Sequence, residues 1–149
     1  MKKANIRDIP YKAEVIEIKN LVLDSKKDKE LHPKLVKYVR LNALTRALNM
    51  LSKRVDYYEE ATIEQLLDTL FFTTTTHENK DLEIIHCGTD NTSKIISFLG
   101  FIVPFVKEPG HVILRLKDDL YMLSWHDYKL YYTPGKMHKH FSHTKRTMV

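Results

Sequence analysis

Residues 111–133 contain three short runs rich in apolar residues, and in strands their side chains would alternate between two faces, which constrains the fold more than any other feature of the sequence. The runs are 111–116, 120–125 and 129–133, and short polar segments separate them. Alternation with a period of two is typical of strands that bury one face, and such short connections favour antiparallel neighbours. The sequence therefore predicts an antiparallel sheet in the second half of the chain.

Helices are predicted ahead of this sheet. Pro33 suits a first helical turn, and apolar residues at spacings of three to five then predict a helix over 33–54. Thr62 opens a capping-box pattern before a second helix. After Cys87, capping residues lead into an apolar helical face that we expect Gly100 to close. The predicted fold class is α+β, with N-terminal helices packed on an antiparallel sheet.

The boundaries between segments are less marked. Residues 13–23 alternate in places and leave a strand and a short helix equally open, whereas 101–106 predict a strand with Pro104 at an edge or bend. We expect one domain with a helical N-terminal extension over 1–59, a core over 60–134 and a basic, flexible tail over 135–149.

Composition excludes several classes of protein. A chain of 149 residues with 43% hydrophobic and 29% charged residues is long and apolar enough for one globular domain. A single cysteine excludes an intramolecular disulfide and a cysteine-rich zinc site, and no glycine-rich phosphate loop is present. The absence of a long apolar run and of a signal sequence predicts a cytoplasmic protein without a membrane span.

The most reactive side chains of the second half are Cys87, His111 and Asp127. We expect Cys87 at a helix start, where the helix dipole and free backbone amides lower a thiol pKa and can stabilise an oxyanion. An imidazole beside the thiol, oriented by a carboxylate, completes the arrangement used in cysteine-based acyl transfer.

The register of the hairpin over 111–127 tests this triad. With residues 117–119 as a three-residue loop, His111 lies opposite Trp125 and shares one face of the sheet with Asp127. A two-residue turn instead places Asp127 on the opposite face. If the register differs, His126 is an alternative base to His111.

The order of these residues resembles the core of the transglutaminase-like superfamily. The shared pattern is Cys-Gly before an apolar helix ending LeuGlyPhe, then a strand, GlyHis at the start of the next strand and TrpHisAsp at the end of another. The resemblance covers about 60–134 and implies a papain-like fold with Cys87 as nucleophile, His111 as general base and acid, and Asp127 as its orienter.

The resemblance implies a cysteine-dependent amide hydrolase or acyl transferase of the peptidase, deamidase or transglutaminase type. Its substrate would be a protein or peptide amide, and it would need no cofactor or metal. Trp125 and His126 are the expected substrate contacts. The histidines at 138, 140 and 143 have a loose ligand-like spacing, but we expect them to be solvated in the tail.

Charge distribution supports a second hypothesis, a small basic binding protein without catalysis. The net charge is +5, and residues 1–56 carry 14 Lys or Arg against 7 Asp or Glu, whereas 57–149 carry 10 against 12. Helix 33–54 and the tail would then contact nucleic acid or a partner protein. The candidate contacts are Lys34, Lys37, Arg40, Lys139, Lys145 and Arg146.

Overall fold

A computed structural model of the chain describes residues 5–42, 57–136 and 147–149. The described residues fall into two compact units, which we call the terminal unit (those within 1–22 and 89–149) and the central unit (those within 23–88). Predicted features within 43–56 and 137–146 lie outside the described residues.

The described chain contains helices and strands in a mixed order. The helices are α1 (Asp28–Asn42), α2 (Tyr57–Glu60), α3 (Ile63–Thr69) and α4 (Thr92–Ile102). The strands are β1 (Glu14–Lys19), β2 (Val22–Leu23), β3 (Phe72–Thr76), β4 (Leu82–Cys87), β5 (Gly110–Leu116), β6 (Asp119–His126), β7 (Lys129–Lys136) and β8 (Thr147–Met148). The short 3-10 segments are Ile6–Asp8, Ser25–Lys27 and Val103–Phe105. The strand pairs β1–β5, β3–β4, β5–β6, β6–β7 and β7–β8 are antiparallel, which confirms the α+β class.

The terminal unit is built on a five-stranded sheet in the order β1–β5–β6–β7–β8. Its three central strands follow one another along the chain, as the sequence predicts. One face of these strands is buried, and its side chains are Val112, Leu114, Leu123, Trp125, Leu130 and Tyr132. The buried face of α4 contributes Ile95, Phe98, Leu99 and Ile102 to the core, and α4 contacts β7. The hydrophobic effect thus packs the apolar face of α4 against the apolar face of the sheet.

The hairpin of β5 and β6 has a two-residue turn, and the register that assumed a three-residue loop is wrong. Leu116 pairs with Asp119 and His111 with Ser124. The turn begins with Lys117 at φ 57°, a left-handed conformation that closes the hairpin one residue earlier. A shift of one residue exchanges the faces of β6, so that Trp125 lies on the buried face.

Other predicted boundaries are also corrected. Helix α1 begins at Asp28, five residues before Pro33, which lies inside it. Helix α4 continues beyond Gly100 to Ile102, so Gly100 is not its terminal glycine. The segment predicted as a strand over 101–106 instead contains the end of α4 and the 3-10 turn, because its apolar residues continue the buried helical face.

Strands occupy two further segments. Residues 14–19, within the segment that the sequence left open between strand and helix, form β1, which pairs with β5, so the N-terminal extension over 1–59 is not wholly helical. The four successive threonines at 73–76 belong to β3 and pair with β4. β-branched residues fit the pleated surface of a strand, and the partner strand settles the conformation.

The central unit combines α1, α3 and a β3–β4 hairpin. Helix α1 buries Leu31, Leu35 and Val39, and it contacts α3, which buries Leu66 and Leu67. The predicted capping box is confirmed: the Thr62 hydroxyl accepts from the Gln65 amide at 3.1 Å, and the Gln65 side chain accepts from the Thr62 amide at 2.8 Å.

Candidate functional site

Cys87 does not lie at a helix start, and this prediction is wrong. It is the last residue of β4, pairs with Phe72 of β3 and is buried. Helix α4 begins only at Thr92, and Asn91 caps it by accepting from the Lys94 amide at 3.2 Å. Cys87 is therefore not the first residue of a helix, the position that was expected to lower the pKa of the thiol and to form an oxyanion hole.

His111 lies on β5 in the terminal unit and pairs with a carboxylate, but the carboxylate is not Asp127. Its Nε2 lies 2.6 Å from Oε2 of Glu17 on the neighbouring strand β1. The same face carries a cross-strand ion pair of 2.8 Å between Arg115 and Glu14. These two side-chain pairs join β1 to β5 on the half-exposed face of the sheet edge.

Asp127 lies in the turn between β6 and β7. Its φ of 50° and the φ of 63° at Tyr128 give the left-handed pair found in tight hairpins of type I′. The Asp127 side chain is 91% exposed, and its Oδ2 lies 3.4 Å from Nδ1 of the adjacent His126. The predicted His111–Asp127 pair is therefore wrong, because the register and the turn direct Asp127 away from the sheet.

The two expected substrate contacts have other roles in the terminal unit. Trp125 is buried, and its indole N–H donates to the Glu108 carbonyl at 2.9 Å. The ring of His126 stacks on Tyr131 with centroids 4.4 Å apart and planes 8° apart. Both rings stabilise the sheet through packing.

The basic residues of the alternative hypothesis are partly described. Lys34 pairs with Glu30 at 3.2 Å along α1, and Arg40 pairs with Glu59 of α2 at 3.2 Å. Lys37 lies between them on the exposed side of α1, and no ion pair engages it among the described residues. Lys139, Lys145 and Arg146 lie outside the described residues, as do the tail histidines.

A groove beside Lys37 is the candidate functional site of the central unit. Its volume is about 390 Å³, and its lining residues are His32, Pro33, Val36, Lys37, Arg40 and Glu59. Four of these come from two successive turns of α1 and one comes from the next, so the helical repeat of 3.6 residues brings them to one side. Glu59 on α2 forms the opposite rim.

Two contacts join the walls of the groove. Nε2 of His32 lies 2.7 Å from the Ala61 carbonyl, which ties α1 to the segment after α2. The Arg40–Glu59 pair makes a second tie across the groove. Pro33 and Val36 supply apolar surface, whereas the Lys37 ammonium supplies a positive charge at the rim. Such a site can hold an apolar group that has a negative charge close to it.

The segment just before α1 is held in the central unit by a buried carboxylate. Asp81 is buried, and its Oδ1 accepts from the Ser25 amide at 2.9 Å. Burial raises the pKa of the Asp28 carboxyl, and the charges of Asp81 and Asp24 raise it further. The described part of the chain contains no group of three or more His, Cys, Asp or Glu that could hold a metal.

No helix among the described residues is both long and apolar enough to cross a membrane. Comparison of the chain with protein-family models, with curated proteins and with solved structures finds no match.

Sequence reasoning missed Glu17 and Glu59, the carboxylates that pair with His111 and Arg40. Glu17 reaches His111 across 94 positions of sequence, and Glu59 reaches Arg40 across 19. Neither pairing has a local sequence signal, because each depends on which strands or helices become neighbours. The basic face of α1 was the available signal for the groove.

Proposed function

We propose that this protein is a non-catalytic binding protein whose α1 groove takes an acidic segment of a partner protein. The segment would place one apolar side chain against Pro33 and Val36 and a carboxylate near Lys37. The observation that carries the proposal is the combination of an apolar floor with an unpaired ammonium in one groove of the central unit, as far as the structure describes it.

Charge complementarity selects the partner. Lys37 can form an ion pair with the partner without first breaking one, in contrast to Arg40, whose pair with Glu59 would have to be exchanged. An apolar anchor removes water from the rim, and the ion pair becomes stronger where water is excluded. An acidic peptide with one aliphatic or aromatic anchor supplies both groups.

Nucleic acid fits the same groove less well. Proteins that bind duplex DNA electrostatically neutralise several phosphates, roughly 6–10 in strongly salt-dependent complexes. Glu30 already neutralises Lys34 on α1, and Glu59 of α2 already neutralises Arg40. Lys37 is then left to meet a single negative charge at the groove, and not a row of phosphates. The protein segment is therefore the partner that the charges favour.

The cysteine-dependent acyl-transfer hypothesis receives no support from the arrangements it required. The thiol lies at a strand end, and the imidazole and carboxylate predicted to pair are bonded to other groups. The transglutaminase-like resemblance and the papain-like core that it implies stay predictions.

Reversal of one charge tests the binding proposal. We expect Lys37→Glu to weaken binding of an acidic peptide with a single Leu or Phe anchor by about tenfold or more, the loss that corresponds to roughly 1.4 kcal/mol. The measurement is fluorescence anisotropy of labelled peptides, with a Lys-flanked peptide of the same anchor and a DNA duplex as comparison probes.

Two matched variants give the control. Lys29→Glu makes the same charge change on an exposed residue of α1 outside the groove, and it should leave peptide binding unchanged. Cys87→Ala should also bind normally. Equal losses for Lys37→Glu and Lys29→Glu, or tighter binding of the duplex than of any peptide, would contradict the proposal.

A further inference from the structure

His32 lines the groove of the central unit, and one hydrogen bond selects the form of its ring. Its Nε2 lies 2.7 Å from the carbonyl oxygen of Ala61, which follows α2. Because a carbonyl oxygen only accepts hydrogen bonds, Nε2 carries the hydrogen of this bond. The neutral ring therefore has its lone pair at Nδ1.

The second ring nitrogen of His32 is available to a ligand. Nδ1 has no hydrogen-bond partner among the described residues, and the side chain is only partly buried. In the neutral ring Nδ1 presents a lone pair and cannot donate to a carboxylate. In the imidazolium both nitrogens donate, so Nδ1 gains a hydrogen while the bond to Ala61 is kept.

His32 and Lys37 lie at opposite edges of the groove. With about 3.6 residues per turn, Val36 lies about 40° and Pro33 about 100° around the axis of α1 from His32. Lys37 lies about 140° from His32 and roughly 7.5 Å further along the axis. The apolar floor of Pro33 and Val36 is therefore flanked by an imidazole on one side and by an ammonium on the other.

The lining of the groove is positive before His32 is protonated. Lys37 and Arg40 supply two positive charges and Glu59 one negative charge, a net of +1 that a proton on His32 raises to +2. The other charged side chains on neighbouring parts of the elements that pack around this ring are Lys26 and Lys27 of the 3-10 turn, Asp28 and Lys29 of α1, Glu60 of α2, and Glu64 and Asp68 of α3. A protonated His32 thus strengthens the attraction of the groove for carboxylates.

We propose that His32 takes up a proton from solvent when an acidic segment binds, and that its Nδ1–H donates to a carboxylate on the opposite side of the apolar anchor from Lys37. This role of His32 rests on the binding function proposed above. Histidine is the side chain whose charge ordinarily changes between about pH 5 and 8, so acidification in this range strengthens binding. The preferred segment carries acidic residues on both sides of its anchor.

Fluorescence anisotropy of a labelled peptide with one Leu anchor between two glutamates tests this role at about pH 8 and about pH 5.5. We expect the parent chain to bind about tenfold more tightly at the lower pH. His32→Gln keeps a side-chain amide that can donate to the Ala61 carbonyl but does not titrate, so it should match the parent at pH 8 and lose this gain. His77→Gln removes an exposed histidine of the same unit outside the groove and should keep the parent's pH dependence.

A second measurement needs no variant to fold. Calorimetric titration of the parent chain with this peptide, at about pH 6.5 in two buffers of different ionisation enthalpy, should show uptake of up to about one proton per peptide bound. Peptide binding that weakens in Lys37→Glu, yet shows no proton uptake or has the same pH dependence in the parent and in His32→Gln, would overturn the role of His32 and leave the proposed function standing. No binding of the peptide at either pH would overturn both.

Discussion

Gly110→Ala should destabilise the protein by about 3 kcal/mol or more, because the added methyl group has no space in the sheet. A Cβ at Gly110 would overlap the Lys19 carbonyl oxygen and lie 2.8 Å from the Trp125 ring. The first neighbour is backbone of the edge strand β1, and the second is a buried side chain, so neither can move without loosening the sheet. Denaturant unfolding of the variant measures the loss.

Gly100→Ala is the matched control, because it adds the same methyl group where space is open. Apart from its chain neighbours and the nearby backbone of α4, no heavy atom of the described chain lies within 4 Å of the added Cβ, and the position is inside α4. Alanine in a helix interior is favoured over glycine by roughly 0.5–1 kcal/mol, so this variant should be more stable than the parent. Equal effects of the two substitutions would show that the close approach at Gly110 does not limit stability.

Much of the fold follows from patterns that act over a few residues. The three runs rich in apolar residues became β5, β6 and β7, and the Thr62 capping box marks the start of α3 as predicted. These features depend on neighbours two to four positions apart, which a sequence displays directly. The α+β class could therefore be predicted from the sequence.

The candidate site depends on a single register, and local patterns do not determine it. A two-residue turn and a three-residue loop both suit the polar residues at 117–119, yet they place the β6 side chains on opposite faces. The left-handed conformation of Lys117 decides between them, and lysine carries no sequence signal for it. The predicted triad failed at this residue and at Cys87, where β4 extends beyond its apolar start to include the cysteine.

Side-chain pairs between distant parts of the sequence could not be predicted, for a different reason. The Glu17–His111 pair requires that β1 form the sheet edge beside β5, and the alternating residues 13–23 fitted a helix as well as a strand. Propensity leaves such a segment undecided, and the sheet edge it can cover decides its structure. Charge partners then follow from the strand order.

Tyr132 should make the protein less stable at high pH by up to roughly 2–3 kcal/mol, and Tyr132→Phe should remove this dependence. Tyr132 lies on the buried face of β7 and is 2% exposed. Burial raises the pKa of its phenol from 10.0 to about 12, and the charge of Asp8 and interactions with Tyr121 and Asp119 add to the shift. The neutral phenol is therefore the form that the folded protein holds.

The sign of the effect follows from the two pKa values. Below pH 10 the phenol is neutral in both states, and its contribution to stability is complete. Between pH 10 and about 12 the unfolded chain loses the proton first, so the free energy of unfolding falls by roughly 1.4 kcal/mol per pH unit. The free energies of unfolding in urea of the parent and of Tyr132→Phe should differ by a constant amount from pH 7 to 9. Towards pH 12 this difference should shift by roughly 2–3 kcal/mol in favour of the phenylalanine variant, since lysines titrate alike in both. Parallel stability curves across that interval would mean that Tyr132 ionises in the folded protein as readily as in the unfolded chain.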